Sequence, residues 1–134
     1  MAAKFVGPAG VTVTTPAARD PLVKVGILEV ADGSTGFAAF VLPKYAVPIG
    51  VYTLSAGANA TQTINVGYTN GGVELLSAFA PNSTGYAVSG AATGAGVGVQ
   101  LTADKTVYLK ASATLTNPVI VKVEYYIPPQ GLTL

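Results

Sequence analysis

Residues Val97 to Ile127 read VGVQLTADKTVYLKASATLTNPVIVKVEYYI. Val97, Val99 and Leu101 share one parity; Val107, Leu109, Ala111, Ala113 and Leu115 repeat it, and Val119, Val121, Val123, Tyr125 and Ile127 repeat it again. Alternation of this kind predicts three half-buried strands. Ala103-Asp104-Lys105 and Thr116-Asn117-Pro118 supply short polar turns between them, so the three are expected to pair as an antiparallel meander with one dry face. Its expected core residues are Val99, Leu101, Val107, Leu109, Val121, Val123 and Tyr125. A dry sheet face needs a second layer, and the rest of the chain offers strand rather than helix. The fold class is therefore all-β: one antiparallel two-sheet β-sandwich, jelly-roll-like, of about eight strands, since turn signals recur roughly every 8 to 12 residues.

Upstream of that stretch the pattern continues. Leu22 to Val30 predicts a strong strand with a turn beginning at Asp32-Gly33, and the apolar run Gly36 to Leu42 predicts a central strand buried on both faces. A proline-bracketed loop, Pro43 to Gly50, leads into a strand over Val51 to Ser55, and Gln62 to Tyr68 alternates again. Asn70-Gly71-Gly72 is a hairpin signal, because those residues accept the positive φ of a tight turn. Glu74 to Phe79 reads equally as a helical turn or a short strand, and Tyr86 to Val88 as another short strand. Residues 1–21, with Pro8, Pro16 and Pro21, are expected to form an extended N-terminal arm, 22–127 the sandwich, and 128–134 a C-terminal tail. The arm reads either as a frayed terminus or edge strand, or as a segment lying on a neighbouring subunit.

Composition restricts the chemistry. Histidine and cysteine are absent, so the usual serine or cysteine triads, zinc sites and histidine-ligated haem lack their residues. The six carboxylates, Asp20, Glu29, Asp32, Glu74, Asp104 and Glu124, fall on different predicted elements. The chain is read as a non-enzyme with no cofactor and no metal. Seven basic residues spread singly give a net charge of +1 and no stripe to track phosphates, so no nucleic-acid partner is expected. The longest apolar runs are far below the ~20 residues needed to span a bilayer, so no membrane partner is expected. Met1 is not followed by a charged n-region and an apolar h-region, so synthesis in the cytoplasm is expected.

Two features look more informative than they are. Gly90 to Gly98 is rich in glycine but lacks the Gly-Lys-Ser/Thr of a Walker loop and the strand-to-helix setting of a dinucleotide fingerprint. It reads as a loop where close backbone approach or a bulge needs small residues. The sequons at Asn59 and Asn82 read as chance features of a Thr- and Asn-rich β protein.

Only 10% of residues are charged while 50% are hydrophobic, against about 25% charged in an ordinary soluble domain. The surplus is expected to face other protein chains. Tyr108 and Tyr126 lie on the polar parity of their strands and point away from the core. Cross-strand pairing, a subunit interface and glycan stacking all account for them. Phe5, Val11, Val13 and Leu132 are the candidate anchors of the arms, which have too few periodic apolar residues to fold alone.

The passage PIGVYTLSAGANATQTINVGYTNGGVELLSAFAPNSTGYAV, followed by VQLTADKTVYLKASATLTNPVIVKVEYYIPP, resembles small structural proteins of tailed bacteriophages. The matching pieces are Pro48 to Leu54, Ile64 to Gly67, Leu101 to Val107 and Lys122 to Tyr126. The resemblance covers about the C-terminal two-thirds of the chain and carries no catalytic signature. It implies a capsid cement or decoration protein with a jelly-roll-like fold on the surface of the virion head. Its partners would be the major capsid protein and copies of itself, as a dimer or trimer. The competing class is a tail, fibre or adhesin sandwich that binds a host glycan or another virion protein.

Overall fold

A computed structural model describes residues 4–6, 12–14, 22–32, 34–59, 61–81, 85–88 and 93–129; for 4–6, 12–14, 32 and 85–88 the backbone alone is described. In chain order the strands are β1 (Lys4–Val6), β2 (Thr12–Thr14), β3 (Leu22–Leu28), β4 (Phe37–Leu42), β5 (Val47–Ser55), β6 (Ile64–Gly67), β7 (Leu76–Phe79), β8 (Gly85–Val88), β9 (Lys105–Ala111) and β10 (Val119–Tyr126). β1 and β2 pair antiparallel with each other, Phe5 opposite Val13. The remaining eight form two four-stranded sheets, ordered β3-β10-β5-β8 and β4-β9-β6-β7. Every pairing in them is antiparallel, so the all-β two-sheet reading holds.

Among the described residues, only one connection between consecutive sandwich strands stays within its sheet, the β6–β7 hairpin. Its turn is closed by the Gly72 N–H donating to the Thr69 carbonyl at 2.8 Å, and Gly71 has φ of 84°. A left-handed third position is what such a turn requires, and glycine supplies it without a Cβ penalty. Leu76 to Phe79 resolves as a strand, and just before it the Glu74 carboxylate accepts the Tyr68 N–H at 2.7 Å.

The two sheets bury a single apolar core that includes Leu28, Leu42, Ile64, Val66, Leu76, Val107, Leu109, Val119, Val121 and Val123. Six of the seven expected meander core residues are buried: Leu101, Val107, Leu109, Val121, Val123 and Tyr125. The meander itself is corrected. β9 pairs with β4 and β6, whereas β10 lies between β3 and β5 in the other sheet. Parity fixes which side of a strand is dry, but two strands facing the same core from opposite sheets give the same pattern.

The first of the three expected strands is not one. The Gly98 N–H donates to the Pro48 carbonyl at 2.7 Å; Leu101 donates to the Ala46 carbonyl at 2.8 Å and accepts the Tyr45 N–H at 3.0 Å. This segment seals one end of the sandwich, with Leu101 turned inward and Val99 left 56% exposed. The expected central strand Gly36 to Leu42 is also corrected: β4 is an edge strand of its sheet. β5 begins earlier than expected, at Val47, and takes in Pro48 through a register shift opposite Glu124 and Tyr125. A bulge is where a strand tolerates a residue without an N–H.

At the other end, Asn59 is fully buried and ties two loops together. Its Oδ1 accepts the Thr116 and Asn117 amides at 2.8 and 2.9 Å, while its Nδ2 donates to Ser55 Oγ at 3.1 Å and the Asn117 carbonyl at 3.2 Å. The Asn59 N–H donates to the Pro81 carbonyl at 3.0 Å. A buried amide with its donors and acceptor all engaged offsets its desolvation cost. The sequon asparagine therefore belongs to the structure. Asn82 lies outside the described residues.

The glycine-rich stretch shows close backbone approach. Gly94 and Gly96 donate to the Leu75 and Glu74 carbonyls at 3.0 and 2.7 Å, and a Cβ on Gly94 would lie 2.2 Å from the Val73 carbonyl oxygen.

Candidate interaction face

β3 has the sequence LVKVGIL, and its alternation decides which side of the sheet is greasy. Gly26 and Leu28 face the core while Val23, Val25 and Ile27 face outward, 43%, 54% and 48% exposed. The inversion follows from space: a Cβ on Gly26 would lie 2.9 Å from Ala39 Cβ and 3.0 Å from Leu109 Cδ1. No larger residue fits at that inward position, so the bulky members of the strand are committed to the outside.

β5 does the same. Val51, Thr53 and Ser55 point inward and are buried, which leaves Tyr52 and Leu54 on the outer face. Ser55 holds its inward place by hydrogen bonding, since its hydroxyl donates to the Gly57 carbonyl and accepts from Asn59.

The register aligns these residues in rows across the sheet. Ile27, Ile120 and Leu54 form one row; Val25, Lys122 and Tyr52 form the next; Val23, Glu124 and Gly50 form the third. Beyond the bulge lie Tyr126 and Ile49, both exposed. Lys122 Nζ is 3.3 Å from Glu124 Oε2 and 4.9 Å from the centre of the Tyr52 ring. Tyr52 covers the dent left by Gly50, where a Cβ would be 2.8 Å from the tyrosine oxygen. The outcome is an apolar face with one ion pair at its middle.

The outer face of the other sheet is different in character. It presents Thr106, Tyr108 and Lys110 from β9 and Asn65 from β6, with Val41 as its exposed large aliphatic residue on β4. Tyr108 is half-buried there, opposite Ala38 and Gly67. Tyr126 sits at the end of β10 on the opposite sheet, so the structure does not bring these two tyrosines into one site. Phe5 and Val13 face each other in backbone register across β1 and β2; Val11 and Leu132 lie outside the described residues. Sequence reasoning missed the β3 face. The signal was present as Gly26 in an otherwise bulky strand, because a glycine marks the side where another element approaches closely.

Among the described residues, the carboxylates occupy separate elements. Glu29 follows β3, Glu74 lies between β6 and β7, and Glu124 is on the outer face of β10. Asp104 precedes β9 and accepts the Lys44 amide at 2.8 Å. No group of three metal-ligating side chains occurs among the described residues. No helix there is long and apolar enough to cross a membrane.

No protein-family model matches the chain, and no curated protein matches it. Solved structures do. A chain of the cyanophage Pam1 capsid asymmetric unit is similar at 21% identity and a TM-score of 0.54, over 92% of this chain and 98% of that one. A chain of the capsid of Ralstonia phage GP4 is similar at 19% identity and a TM-score of 0.59, over 90% of this chain and 91% of that one. At these identities the likeness is one of fold.

Proposed function

We propose that this chain is a non-enzymatic virion structural protein that decorates and stabilises a phage capsid, binding across seams of the major capsid protein lattice as an oligomer of itself. The observation that carries the reading is the near full-length match of the sandwich to chains of two phage capsids. A fold by itself does not assign a role; here the composition and the exposed apolar face point the same way. The protein is made in the host cytoplasm and resides on the capsid surface.

The fold is a jelly roll in this reading. Counted along the chain from β3, the sandwich strands order as first, eighth, third and sixth in one sheet and second, seventh, fourth and fifth in the other, the pattern that two nested Greek keys produce. The mechanism is added buried surface. Each 1,000 Å² of apolar contact is worth about 25 kcal/mol before the entropy of association and ordering is subtracted, and repeated seating on a symmetric lattice raises the effective affinity. The arm residues Phe5, Val11, Val13 and Leu132, with Tyr108 and Tyr126, are the proposed partner contacts.

A mass-spectrometric copy count on purified particles tests the reading. Hundreds of copies per particle support decoration of the head; a handful of copies assigns the chain to a tail or fibre instead. Removal of residues 1–15 is expected to leave a folded sandwich that binds bare capsids more weakly. Unchanged saturation by the truncated protein would take attachment away from the arm.

A further inference from the structure

We infer that the outer face of the β3-β10-β5 sheet seats a second copy of this chain, face to face, about a two-fold axis that lies in the interface plane and runs across the strands. This deepens the self-association in the reading above and is independent of attachment to the capsid. Val23, Val25, Ile27 and Leu54 are all more than a third exposed on this one face. With three strands about 4.8 Å apart and seven residues rising about 3.3 Å each, the face presents roughly 330 Å² in projection. Monomers seldom leave contiguous apolar patches larger than a few hundred Å² in water. Two such faces cover roughly 660 Å² in projection, which places the pair among weak, reversible associations below the roughly 1,200 Å² total of standard stable interfaces.

The order of residues along β10 selects the occupant. Lys122 and Glu124 are two apart on one strand, on the same face, with side chains 30% and 24% exposed. An isologous pair places residue i against j and j against i. With the axis over Val123, Lys122 of each copy lies over Glu124 of the other. The same operation sets Val25 over Val23, and the row of Ile27, Ile120 and Leu54 over the bulged end that carries Tyr126 and Ile49. Apolar rows meet apolar rows and each charge meets its opposite. An axis along the strands would instead stack Lys122 on Lys122. The formal net charge of +1 per chain leaves little long-range repulsion for the pair to overcome.

Sedimentation equilibrium over a range of concentrations tests this on the full chain, with circular dichroism to establish that each variant is folded. The wild type is expected to show a reversible monomer–dimer equilibrium. Lys122→Glu and Glu124→Lys each place like charges across both halves of the interface, so each should raise the dimer dissociation constant at least tenfold. An equimolar mixture of the two should dimerise again, because the first variant presents two carboxylates along β10 and the second presents two ammonium groups at the same positions. The ion pair within each chain is broken in both variants, so a purely intrachain role predicts no recovery on mixing. Val25→Arg should abolish the dimer and leave the fold intact. A monomeric wild type at every concentration, dimerisation of the single variants at wild-type strength, or no recovery on mixing would each overturn the inference. A dimer that ignores bare capsids counts against the proposed function alone, and a monomer that saturates them counts against this inference alone.

Discussion

Replacing Asn59 by alanine removes the clip between the β5–β6 and β9–β10 connections. The substitution leaves the Thr116 and Asn117 amides without the acceptor that now lies at 2.8 and 2.9 Å, and removes the donor to Ser55 and to the Asn117 carbonyl. A buried donor stripped of its partner costs about 1 to 3 kcal/mol. Two such donors, partly relieved by water entering the gap, give an expected loss of about 2 to 5 kcal/mol. That is a large share of the roughly 5 to 15 kcal/mol that holds a domain of this kind together. Equilibrium urea unfolding reads it directly: with a slope of about 1 to 3 kcal/mol per M, the midpoint should fall by roughly 1 to 3 M. Asn117→Ala is the internal control. It loses a side-chain bond to the Ala58 carbonyl at 3.0 Å but keeps the Asn117 backbone groups that Asn59 engages, so it should cost about 1 kcal/mol or less. Equal midpoints for the two variants would refute the argument that Asn59 holds this end of the sandwich.

Three other outcomes are expected. Leu109→Ala should cost about 2 to 5 kcal/mol in the same unfolding assay, because Leu109 is fully buried and its truncation leaves a cavity; Lys110→Ala should stay within about 0.5 kcal/mol. Gly94→Ala should destabilise strongly, since the new Cβ would meet the Val73 and Glu74 carbonyl oxygens at 2.2 and 2.4 Å, whereas Gly98→Ala enters open space and suffers only its φ of 86°. Burial, and secondarily the Glu74 carboxylate, push the Tyr68 phenol up to about 12 from its ordinary 10.0. Its contribution to stability is therefore fully present below about pH 10 and is lost as pH rises from about 10 through about 12, because the unfolded chain loses that proton first. Tyr125 is raised by burial in the same direction. Phenolate absorbance should show a late-titrating component, and Tyr68→Phe should remove part of the alkaline loss of stability.

The comparison of sequence with structure is sharpest at individual strands. Val121, Val123, Val107 and Leu109 declared their inward parity because period two leaves no other assignment once one face is dry. The sheet to which β9 and β10 belong was not legible. Thr116-Asn117-Pro118 marks a change of direction, and it does not distinguish a hairpin within a sheet from a corner between sheets. The corner is set by bonds to residues distant in sequence, such as Ala56 N–H to the Pro118 carbonyl at 3.1 Å and Ser112 N–H to the Thr63 carbonyl at 2.8 Å. The interaction face escaped for a related reason. In β3 and β5 large side chains lie outside, while Gly26, Thr53 and Ser55 lie inside, which reverses the usual reading. Each inversion depends on a neighbour: Leu109 and Ala39 fill the space at Gly26, and Asn59 engages Ser55. By contrast, the Asn70-Gly71-Gly72 hairpin is wholly local and was readable without any partner.

The position of β10 also dictates the order in which the molecule can be made. It is the last strand of the sandwich and lies between β3, the first, and β5. Neither of its neighbours can complete its ladder while residues 119–126 are still being synthesised. Pairings of such long sequence separation carry a high loop-closure cost and fold slowly. Until the final strand arrives, β3 and β5 keep open edges that invite pairing with other chains. Closure therefore follows translation, and a product terminated before Val119 has no route to the finished sheet. The central seat of the last strand thus acts as a length check: only chains translated through β10 can close the sandwich.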